Sequence, residues 1–387
     1  MTKILFIGVC YCLSIVNCKH NQSSKTTNKS NITLVETDSK EVTKNSIKKE
    51  NKEVKTDTII PVQSLAKKVD KPSNKIVGDN SNILNYLPKS YSTKGDIDYT
   101  QNLQKAFNEN QNIVMPNFPI AVNYNGISIP SNRTIEFQSK SSLIVLPNSK
   151  DKYQALLLSN VNNVSITNPN LIGDRNNHIG TSGEWGMGIN ILSSSNVKII
   201  NPTINNFWGD GIYIGRIVNQ KSFCNDIVVS GGILDNNRRN GISIISGKDV
   251  TVENITIKNT NGTNPQAGID LEPNLNDEFL YNINLNNVKT INNKIDGIKL
   301  VFYKLTNNNN VLININNHND NGSQFPITLV GVDNLNSNTF SGKVNYTNSN
   351  WYNANANIRV QRKLSPKLKL NISQTTINGK LYNKSIK

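Results

Sequence analysis

One short pattern, a glycine followed by alternating apolar residues, recurs along this chain of 387 residues and limits what it can fold into. It reads GMGINIL, GDGIYIG, RNGISII, QAGIDLE and IDGIKLV, with central glycines Gly188, Gly211, Gly241, Gly268 and Gly297. These glycines are separated by 23, 30, 27 and 29 residues, and further apolar alternations such as DVTVENITI lie between them. Several short strands per repeat, joined by Asn- and Gly-rich turns, indicate a solenoid built from strands. The period-2 alternation excludes a helical repeat.

The composition agrees with a thin, repetitive core. Hydrophobic residues make up 36% and aromatic residues 6% of the chain, so Ile, Val and Leu must build the core. The formal net charge is +15, but the basic residues lie mainly along the N-terminal segment and the last stretch. They lack the interleaved aromatic residues that stack on bases, so we do not expect nucleic acid as a partner.

The opening MTKILFIGVCYCLSIVNC predicts a signal peptide over residues 1–18. Lys3 precedes an apolar run, residues 4–16, that is too short to span a bilayer comfortably. The position of Cys18 after SIVN resembles a bacterial lipoprotein signal, which implies cleavage and lipid attachment at Cys18. An ordinary cleaved signal and an uncleaved anchor are the alternatives.

Residues 19–80 are rich in Lys, Asn, Ser and Thr and show no sustained apolar period. Such a segment cannot bury enough surface to offset its ordering entropy, so we predict a flexible tether. The folded domain is then expected over residues 81–387. This organisation predicts an exported protein, either an outer-membrane or cell-surface lipoprotein of a bacterium or a secreted protein.

The start of the predicted domain carries YSTKGDIDYTQNLQKAF, in which residues 99–108 predict a helix with Leu103, Ala106 and Phe107 on one face. A strand is predicted at residues 112–115, followed by GISIPSNRTIEF. With the repeat, these motifs resemble the pectin-lyase-like superfamily over about residues 83–331. The resemblance implies an all-β fold, a single-stranded right-handed parallel β-helix with a short N-terminal capping helix.

The motifs of named enzymes in that superfamily are incomplete here. Polygalacturonases carry NTD, DD, GHG and RIK elements on successive rungs, and GDGIYI, RNGISI and DGIKLV occupy similar positions. They lack the second Asp, the His and the Arg, and the pectate-lyase motifs are absent. The chain therefore resembles the uncharacterised branches more than any named enzyme.

The repeat also predicts which side chains point outward. If the Ile and Leu residues of each repeat face the core, the residues between them face outward, in rows about 4.8 Å apart. This first predicted row is Asn190, Tyr213, Ser243, Asp270 and Lys299. The residues just before each central glycine add a second row, Met187, Asp210, Asn240, Ala267 and Asp296. Asp270 and Glu272 are both expected to lie within one strand and to point outward. Arg238 and Arg239 should then lie in a groove between Asp210 on one side and this pair on the other.

These rows give the candidate site. The candidate catalytic residues are Asp210, Arg238, Arg239, Asp270 and Glu272. Trp185 and Trp208 are predicted platforms for a sugar ring, because an aromatic face packs against its C–H groups. With them, the candidate substrate-binding residues are Asp174, Arg175, His178 and Glu184 of the loop GDRNNHIGTSGEWGMG and Tyr213 and Lys299 of the first row. Turn formation by Asp210, a salt-bridge ladder through the arginines and loop packing by the tryptophans are the structural alternatives.

Three functions fit such a groove, and an acidic polysaccharide is the expected partner of a monomeric protein. The resemblance implies lyase-type β-elimination, with Asp210, Asp270 and Glu272 as candidate Ca²⁺ ligands and an epimerase sharing the first step. The second function is hydrolysis by paired carboxyl groups, Asp210 with Asp270. The third is a non-catalytic surface protein that binds a glycan.

Overall fold

The alternating apolar residues of the chain form strands that stack into a right-handed parallel β-helix. The computed structural model describes residues 83–332, 339–352 and 358–382. The predicted signal, the predicted tether and Cys18 lie outside the described residues, so the boundaries at residues 18 and 80 stay predictions. Among the described residues, no helix is long and apolar enough to cross a lipid bilayer.

The N-terminal helix α1, Thr100–Glu109, closes the first coil, and Leu103, Ala106 and Phe107 on its inner face are buried as predicted. Short 3₁₀ turns occur at Leu84–Tyr86 and Arg175–Asn177. The first half of the strands is β1 Asn112–Met115, β2 Pro119–Val122, β3 Ile127–Ser128, β4 Arg133–Phe137, β5 Ser142–Val145, β6 Lys152–Ser159, β7 Asn162–Thr167, β8 Asn170–Ile172, β9 Trp185–Leu192, β10 Ser195–Ile200, β11 Thr203–Asn205, β12 Ile212–Gly215, β13 Cys224–Ser230, β14 Ile233–Asp235 and β15 Asn240–Ile244.

The second half is β16 Gly247–Glu253, β17 Thr256–Lys258, β18 Ala267–Leu271, β19 Leu280–Asn286, β20 Lys289–Ile291, β21 Asp296–Val301, β22 Asn310–Asn316, β23 Asn319–Asn321, β24 Phe325–Val330, β25 Ser341–Thr347, β26 Asn350–Tyr352, β27 Arg359–Gln361, β28 Leu368–Ser373, β29 Thr376–Ile377 and β30 Lys380–Leu381. The strand predicted at residues 112–115 is confirmed as β1.

Each coil contributes one strand to each of three sheets in the described part of the chain. The first sheet has the order β1-β4-β7-β10-β13-β16-β19-β22-β25-β28, and the second has β2-β5-β8-β11-β14-β17-β20-β23-β26-β29-β30. The third sheet runs β3-β6-β9-β12-β15-β18-β21-β24-β27 and contains all five repeated glycine motifs. The described strand pairs that join neighbouring coils are parallel, and the pair β29–β30 is antiparallel.

The core consists of apolar columns that point inward from the three sheets. In the first sheet one such column is formed by the buried residues Val164, Val197, Ile227, Val250, Ile283, Ile313 and Val344. Because every coil buries its apolar residues against the coils before and after it, neighbouring coils stabilise each other.

The repeated positions of the third sheet require glycine because the neighbouring coil leaves no space for a Cβ. An added Cβ at Gly241 would lie 2.1 Å from Cγ2 of Ile257 and 2.6 Å from the carbonyl oxygen of Gly268. An added Cβ would also lie too close to the carbonyl oxygen of the glycine one coil later at Gly188 (2.5 Å), Gly211 (2.8 Å) and Gly268 (2.6 Å). The coil therefore leaves no room for a side chain along this column.

The abundance of asparagine has a structural cause as well. Most first-sheet strands are followed by an asparagine with positive φ, such as Asn168 (53°), Asn201 (53°) and Asn287 (54°), which turns the chain into the second sheet. Asparagine tolerates this left-handed conformation better than most residues. The side chains also bond to one another across coils, as Asn201 Nδ2 does to Asn168 Oδ1 at 2.9 Å.

Candidate functional site

The outer face of the third sheet carries the first predicted row in register. Tyr213 pairs with Asn190 on one side and with Ser243 on the other, and Asp270 pairs with Ser243 and Lys299. The prediction of this row is confirmed because the side chains of neighbouring strands stack at a constant register. The row continues with Leu157 before it and with Thr328 and Arg359 after it.

Much of this row is covered although it faces away from the core. Ser243 and Asp270 are 0% exposed and Asn190 is 7% exposed. The long side chain of Arg239 reaches over the row, with Nη1 3.4 Å from Oγ of Ser243. The face is therefore partly closed by protein side chains, which the outward direction alone does not reveal.

Arg239 is the centre of a cluster of carboxyl groups. Its Nη1 lies 3.0 Å from Oδ2 of Asp210, its Nε lies 3.3 Å from Oε2 of Glu184, and its Nη2 lies 4.0 Å from Oε2 of Glu272. Burial lowers the pKa of Arg239, but Asp210, Asp270, Glu272 and Glu184 outweigh burial and the net effect is a raised pKa. Arg239 is thus a fixed positive charge between the two sets of carboxylates, as predicted.

Asp210 is held in place on several sides. Its Oδ2 accepts a hydrogen bond from Oγ of Ser243 at 2.7 Å, and its Oδ1 accepts one from the backbone N–H of Asn240 at 3.0 Å. Burial raises the pKa of Asp210, while Arg239 and these hydrogen bonds oppose the rise. Asp210 therefore does more than form the turn before Gly211.

Asp270 and Glu272 form a second carboxyl unit beside Arg239. Asp270 is fully buried, and the described residues offer no hydrogen-bond partner to its Oδ1. Burial, followed by the neighbouring Glu272 with which it shares a hydrogen bond, raises the pKa of Asp270 well above its ordinary value. The Glu272 side chain is 17% exposed. Glu272 is therefore the outer member of the pair and Asp270 the inner one.

The prediction that both carboxyl groups lie within a strand needs a correction. Strand β18 ends at Leu271, and Glu272 is the first residue after it. The backbone N–H of Glu272 still donates to the carbonyl oxygen of Ile244 at 3.1 Å. The chain leaves the sheet just beyond this bond, which lets the Glu272 side chain approach Asp270.

Arg238 departs from the predicted position between the carboxylates. Its guanidinium lies 3.8 Å from the centre of the Trp208 ring, and its Nη1 donates to the carbonyl oxygen of Gly183 at 2.7 Å. Trp208 also stacks with His178, with ring centres 4.2 Å apart. The Trp208 ring is thus occupied by protein contacts, which contradicts its predicted role as a platform for a sugar ring.

The loop residues Asp174, Arg175 and His178 hold the loop rather than face a groove. The side chains of Asp174 and His178 are buried and joined at 2.7 Å, and Tyr153 donates a further hydrogen bond to Asp174. Arg175 donates to the carbonyl oxygen of Asn236 at 2.7 Å and to Oδ1 of Asn261 at 2.8 Å. The predicted contact of these three with substrate is therefore not supported, because their polar groups already bind protein partners.

Other predicted residues remain accessible on this face. Trp185 is 47% exposed, and the Glu184 side chain is 44% exposed. Tyr213 is half-buried, and burial is the main cause of its raised pKa. Lys299 is half-buried too, and no carboxylate of the described residues lies within 4.0 Å of its amine. Lys299 thus forms no close ion pair with the described carboxylates, but its charge lowers the pKa of Asp270 and of Asp296.

The three predicted Ca²⁺ ligands do not surround a common point that is free for a metal. Asp210 and Glu272 both lie next to the Arg239 guanidinium. Its positive charge already takes the place that a metal ion would have between them. Among the described residues there is no group of three or more His, Cys, Asp or Glu side chains that could hold a metal ion. These residues therefore do not fit a Ca²⁺ site.

A second ion pair on the same face was not predicted from the sequence. Arg359 Nη2 lies 3.0 Å from Oδ1 of Asp296, and Thr328 donates to the same carboxyl group. Arg359 reaches back past β24 to β21, so its partner is 63 residues earlier in the chain. An Asp before a glycine, shared by Asp210 and Asp296, is the signal that links the two pairs.

Part of the chain is similar in sequence to two bacterial proteins. No family model matches the chain. It is 36% identical over 160 residues to the uncharacterized protein YclG of Bacillus subtilis and 32% identical over 162 residues to the SPbeta prophage-derived uncharacterized protein YorA of the same organism. Each match covers 38% of this chain, and the matches span 27% and 28% of the relatives' own length.

Solved structures resemble the chain at low sequence identity. The N-terminal fragment of bacteriophage Phi29 gene product 12 has a TM-score of 0.55 and 13% identity, covering 76% of this chain and 52% of that one. PfbA, a surface adhesin of Streptococcus pneumoniae, has a TM-score of 0.52 and 15% identity, covering 76% and 78%. An endo-xylogalacturonan hydrolase of Aspergillus tubingensis has a TM-score of 0.50 and 12% identity, covering 73% and 90%. Similarity at this level shows the fold alone.

Proposed function

We propose that this protein binds an acidic polysaccharide along the outer face of the third sheet and cleaves it by β-elimination, with Glu272 as the base. The observation that carries the proposal is the position of the Asp270–Glu272 pair between two cations. Arg239 lies on one side, and the unpaired Lys299 lies beside Asp270 on the next strand. The endo-xylogalacturonan hydrolase has a similar fold, which supports a polysaccharide partner in general.

In β-elimination a base removes the proton at C5 of a uronate, and the bond from C4 to the glycosidic oxygen breaks. The electron pair of the C–H bond forms the new double bond, and the leaving oxygen takes a proton from water. The C5 proton becomes acidic enough only if the uronate carboxylate is neutralised. Lys299 supplies this positive charge, because no described carboxylate pairs with it.

Glu272 is the base in this scheme because its side chain is the exposed member of the carboxyl pair. Asp270 lies behind it, and burial and Glu272 raise its pKa, which favours the protonated form that can donate a hydrogen bond to Glu272. Asp270 is thus a positioning residue that orients the base. Arg239 holds the other side of Glu272 and limits its movement.

The assay uses the full chain with a panel of uronate-containing polysaccharides, with and without Ca²⁺, and follows ultraviolet absorbance and reducing ends together. A lyase raises both signals, and Glu272→Gln removes both. Glu136→Gln is the matched control, because Glu136 is half-buried on the first sheet. Reducing ends without absorbance would replace the lyase by a hydrolase that uses the same carboxyl pair.

Glycan binding without catalysis is the second candidate. It is favoured by the complete burial of Asp210 and Asp270, which leaves few groups able to touch a substrate. Saturable binding of a uronate polysaccharide with neither signal in the assay would support this candidate. In either case we propose that the protein acts outside the cell, anchored through Cys18 if the predicted signal is processed.

A further inference from the structure

A cavity of about 510 Å³ lies on the outer face of the first sheet, away from the Asp270–Glu272 pair. Its floor is formed by Lys248 and Tyr281, which are in register on β16 and β19. Its wall is formed by residues 276–279 of the loop after β18 and by residues 306–309 of the loop after β21. Nothing in the proposed cleavage reaction uses these groups.

The two loops are tied to the coil and to each other. Arg216 binds Asp277 through Nη2 at 2.5 Å and Glu278 through Nε at 3.3 Å. The Asn309 amide donates to the carbonyl oxygen of Glu278 at 2.8 Å, which joins the second loop to the first. The cavity is therefore formed in advance, and a ligand would bind without paying to order these loops.

The surface chemistry of the cavity is that of a sugar site. Tyr281 is 39% exposed and offers an aromatic face with a hydroxyl group at its rim. Exposed amides of Asn276, Asn308 and Asn310 surround it. A pyranose ring presents C–H groups that pack on an aromatic face and hydroxyls that an amide can bind as donor and acceptor.

The charges in the cavity already have partners within the protein. Lys248 lies 3.8 Å from Asp249, and Asp277 is bound by Arg216. A neutral ligand thus fits better than an acidic one, since an anion would compete with Asp249 for Lys248 and approach Asp277.

We infer that this cavity is a second carbohydrate site, which binds on the order of two neutral pyranose units of a glycan. It does not depend on the third-sheet face being catalytic. A neutral glycan would be held here while the third-sheet face binds a different, acidic segment.

The test is titration of the full chain with neutral hexasaccharides of mannose, xylose, glucose and N-acetylglucosamine, by calorimetry and saturation-transfer NMR. We expect at least one of them to bind, and Tyr281→Ala to weaken it about tenfold. Asn308→Ala should weaken it too, and this exposed loop residue keeps the test valid if Tyr281→Ala impairs folding. Tyr352→Ala is the matched control, because Tyr352 is 46% exposed on the second sheet.

The outcome also separates this site from the proposed function. Binding that survives Glu272→Gln but is lost in Tyr281→Ala would assign the glycan to the cavity, whether or not the lyase assay succeeds. Absence of binding across the panel would overturn the inference. So would binding that Tyr281→Ala and Asn308→Ala leave unchanged, or binding that Glu272→Gln alone abolishes.

Discussion

Arg239 and Asp210 form a buried ion pair, with 3.0 Å between Nη1 and Oδ2, on the outer face of the third sheet. Asp210 is fully buried and the Arg239 side chain is only 12% exposed. The pair is also tied to Ser243, whose hydroxyl donates to Asp210. The Asp210 carboxylate depends on this pair, because a buried charge without a counter-charge is costly.

The first prediction follows from this pairing. Arg239→Met leaves Asp210 buried without its counter-charge, so we expect the free energy of unfolding to fall by about 3 kcal/mol or more. The double variant Asp210→Asn/Arg239→Met should be more stable than Arg239→Met, since no buried carboxylate without a counter-charge remains at position 210. Urea unfolding of Asp210→Asn, Arg239→Met and the double variant measures the coupling energy between Asp210 and Arg239. Equal losses in Arg239→Met and the double variant would contradict the pairing.

The second prediction concerns the pH dependence caused by Asp270. Burial and Glu272 raise the pKa of Asp270 in the folded state above its value in the unfolded chain. A carboxyl group with a raised folded pKa contributes stability below its unfolded pKa and loses it as the pH rises through the folded pKa. Asp270→Asn cannot ionise, so it should gain stability relative to the wild type as the pH rises from 4 towards neutral.

The measurement is urea unfolding of both proteins across this pH range. Asp210 is present in both, so its own titration cancels in the difference. A stability difference that stays constant with pH would show that Asp270 is not held protonated.

The sequence predicted the coil and the rows because both depend on local alternation. Once Ile242 and Ile244 face inward, Ser243 must face outward, and the parallel register carries the same direction to Tyr213 and Asp270. The requirement for glycine at Gly241 is also visible in the repeat. These features need no knowledge of distant contacts.

The sequence could not place Arg238 and Trp208, because their partners come from other coils. Arg238 stacks on Trp208, which lies 30 residues earlier, and Trp208 stacks on His178 of the loop before it. Two adjacent arginines look equivalent in the sequence, yet Arg239 turns towards Asp210 and Arg238 towards Trp208. The directions of these two side chains depend on the conformation of the loops, and the alternation of apolar residues does not predict that conformation.

The third prediction tests the glycine column of the third sheet. An alanine at position 241 would place Cβ 2.1 Å from Ile257 and 2.6 Å from the carbonyl oxygen of Gly268. We expect Gly241→Ala to lower the free energy of unfolding by about 3 kcal/mol, since two coils must move apart. Gly379→Ala is the control, because no atom lies within 4 Å of an added Cβ there. Its positive φ of 77° should cost about 1 kcal/mol.

Thermal and urea unfolding compare the two variants. If Gly241→Ala lowers the free energy of unfolding no more than Gly379→Ala does, the glycine column can accept a side chain and the prediction is wrong.

The fourth prediction concerns His318 in the core of the last coils. His318 is fully buried, with Nε2 2.6 Å from Oγ1 of Thr290 and Nδ1 bonded to the Tyr346 hydroxyl. Burial lowers the pKa of His318 to about 3. Stability from this neutral histidine is present above its unfolded pKa and is lost as the pH falls from about 6.5 to about 3, by about 5 kcal/mol.

His318→Gln removes this titration while keeping a polar side chain. Its stability relative to the wild type should therefore improve as the pH falls through that range, whatever its stability at neutral pH. Asp320, which also binds Thr290, has a pKa raised by burial and is common to both proteins, so its opposite effect cancels. A parallel pH dependence of the two proteins would contradict a buried neutral histidine.

The fifth prediction addresses the role of Lys299 in cleavage. Lys299 lies within 4.0 Å of no carboxylate among the described residues, but its charge lowers the pKa of the buried Asp270 and Asp296, so urea unfolding of Lys299→Met must be measured beside its activity. In a lyase, Lys299→Met leaves the uronate carboxylate unneutralised, and we expect kcat/KM for the uronate substrate to fall about a hundredfold. Lys198→Met is the control, because Lys198 is an exposed lysine on the first sheet. A matching loss in that control would mean that general positive charge, rather than a specific contact at Lys299, attracts the polysaccharide.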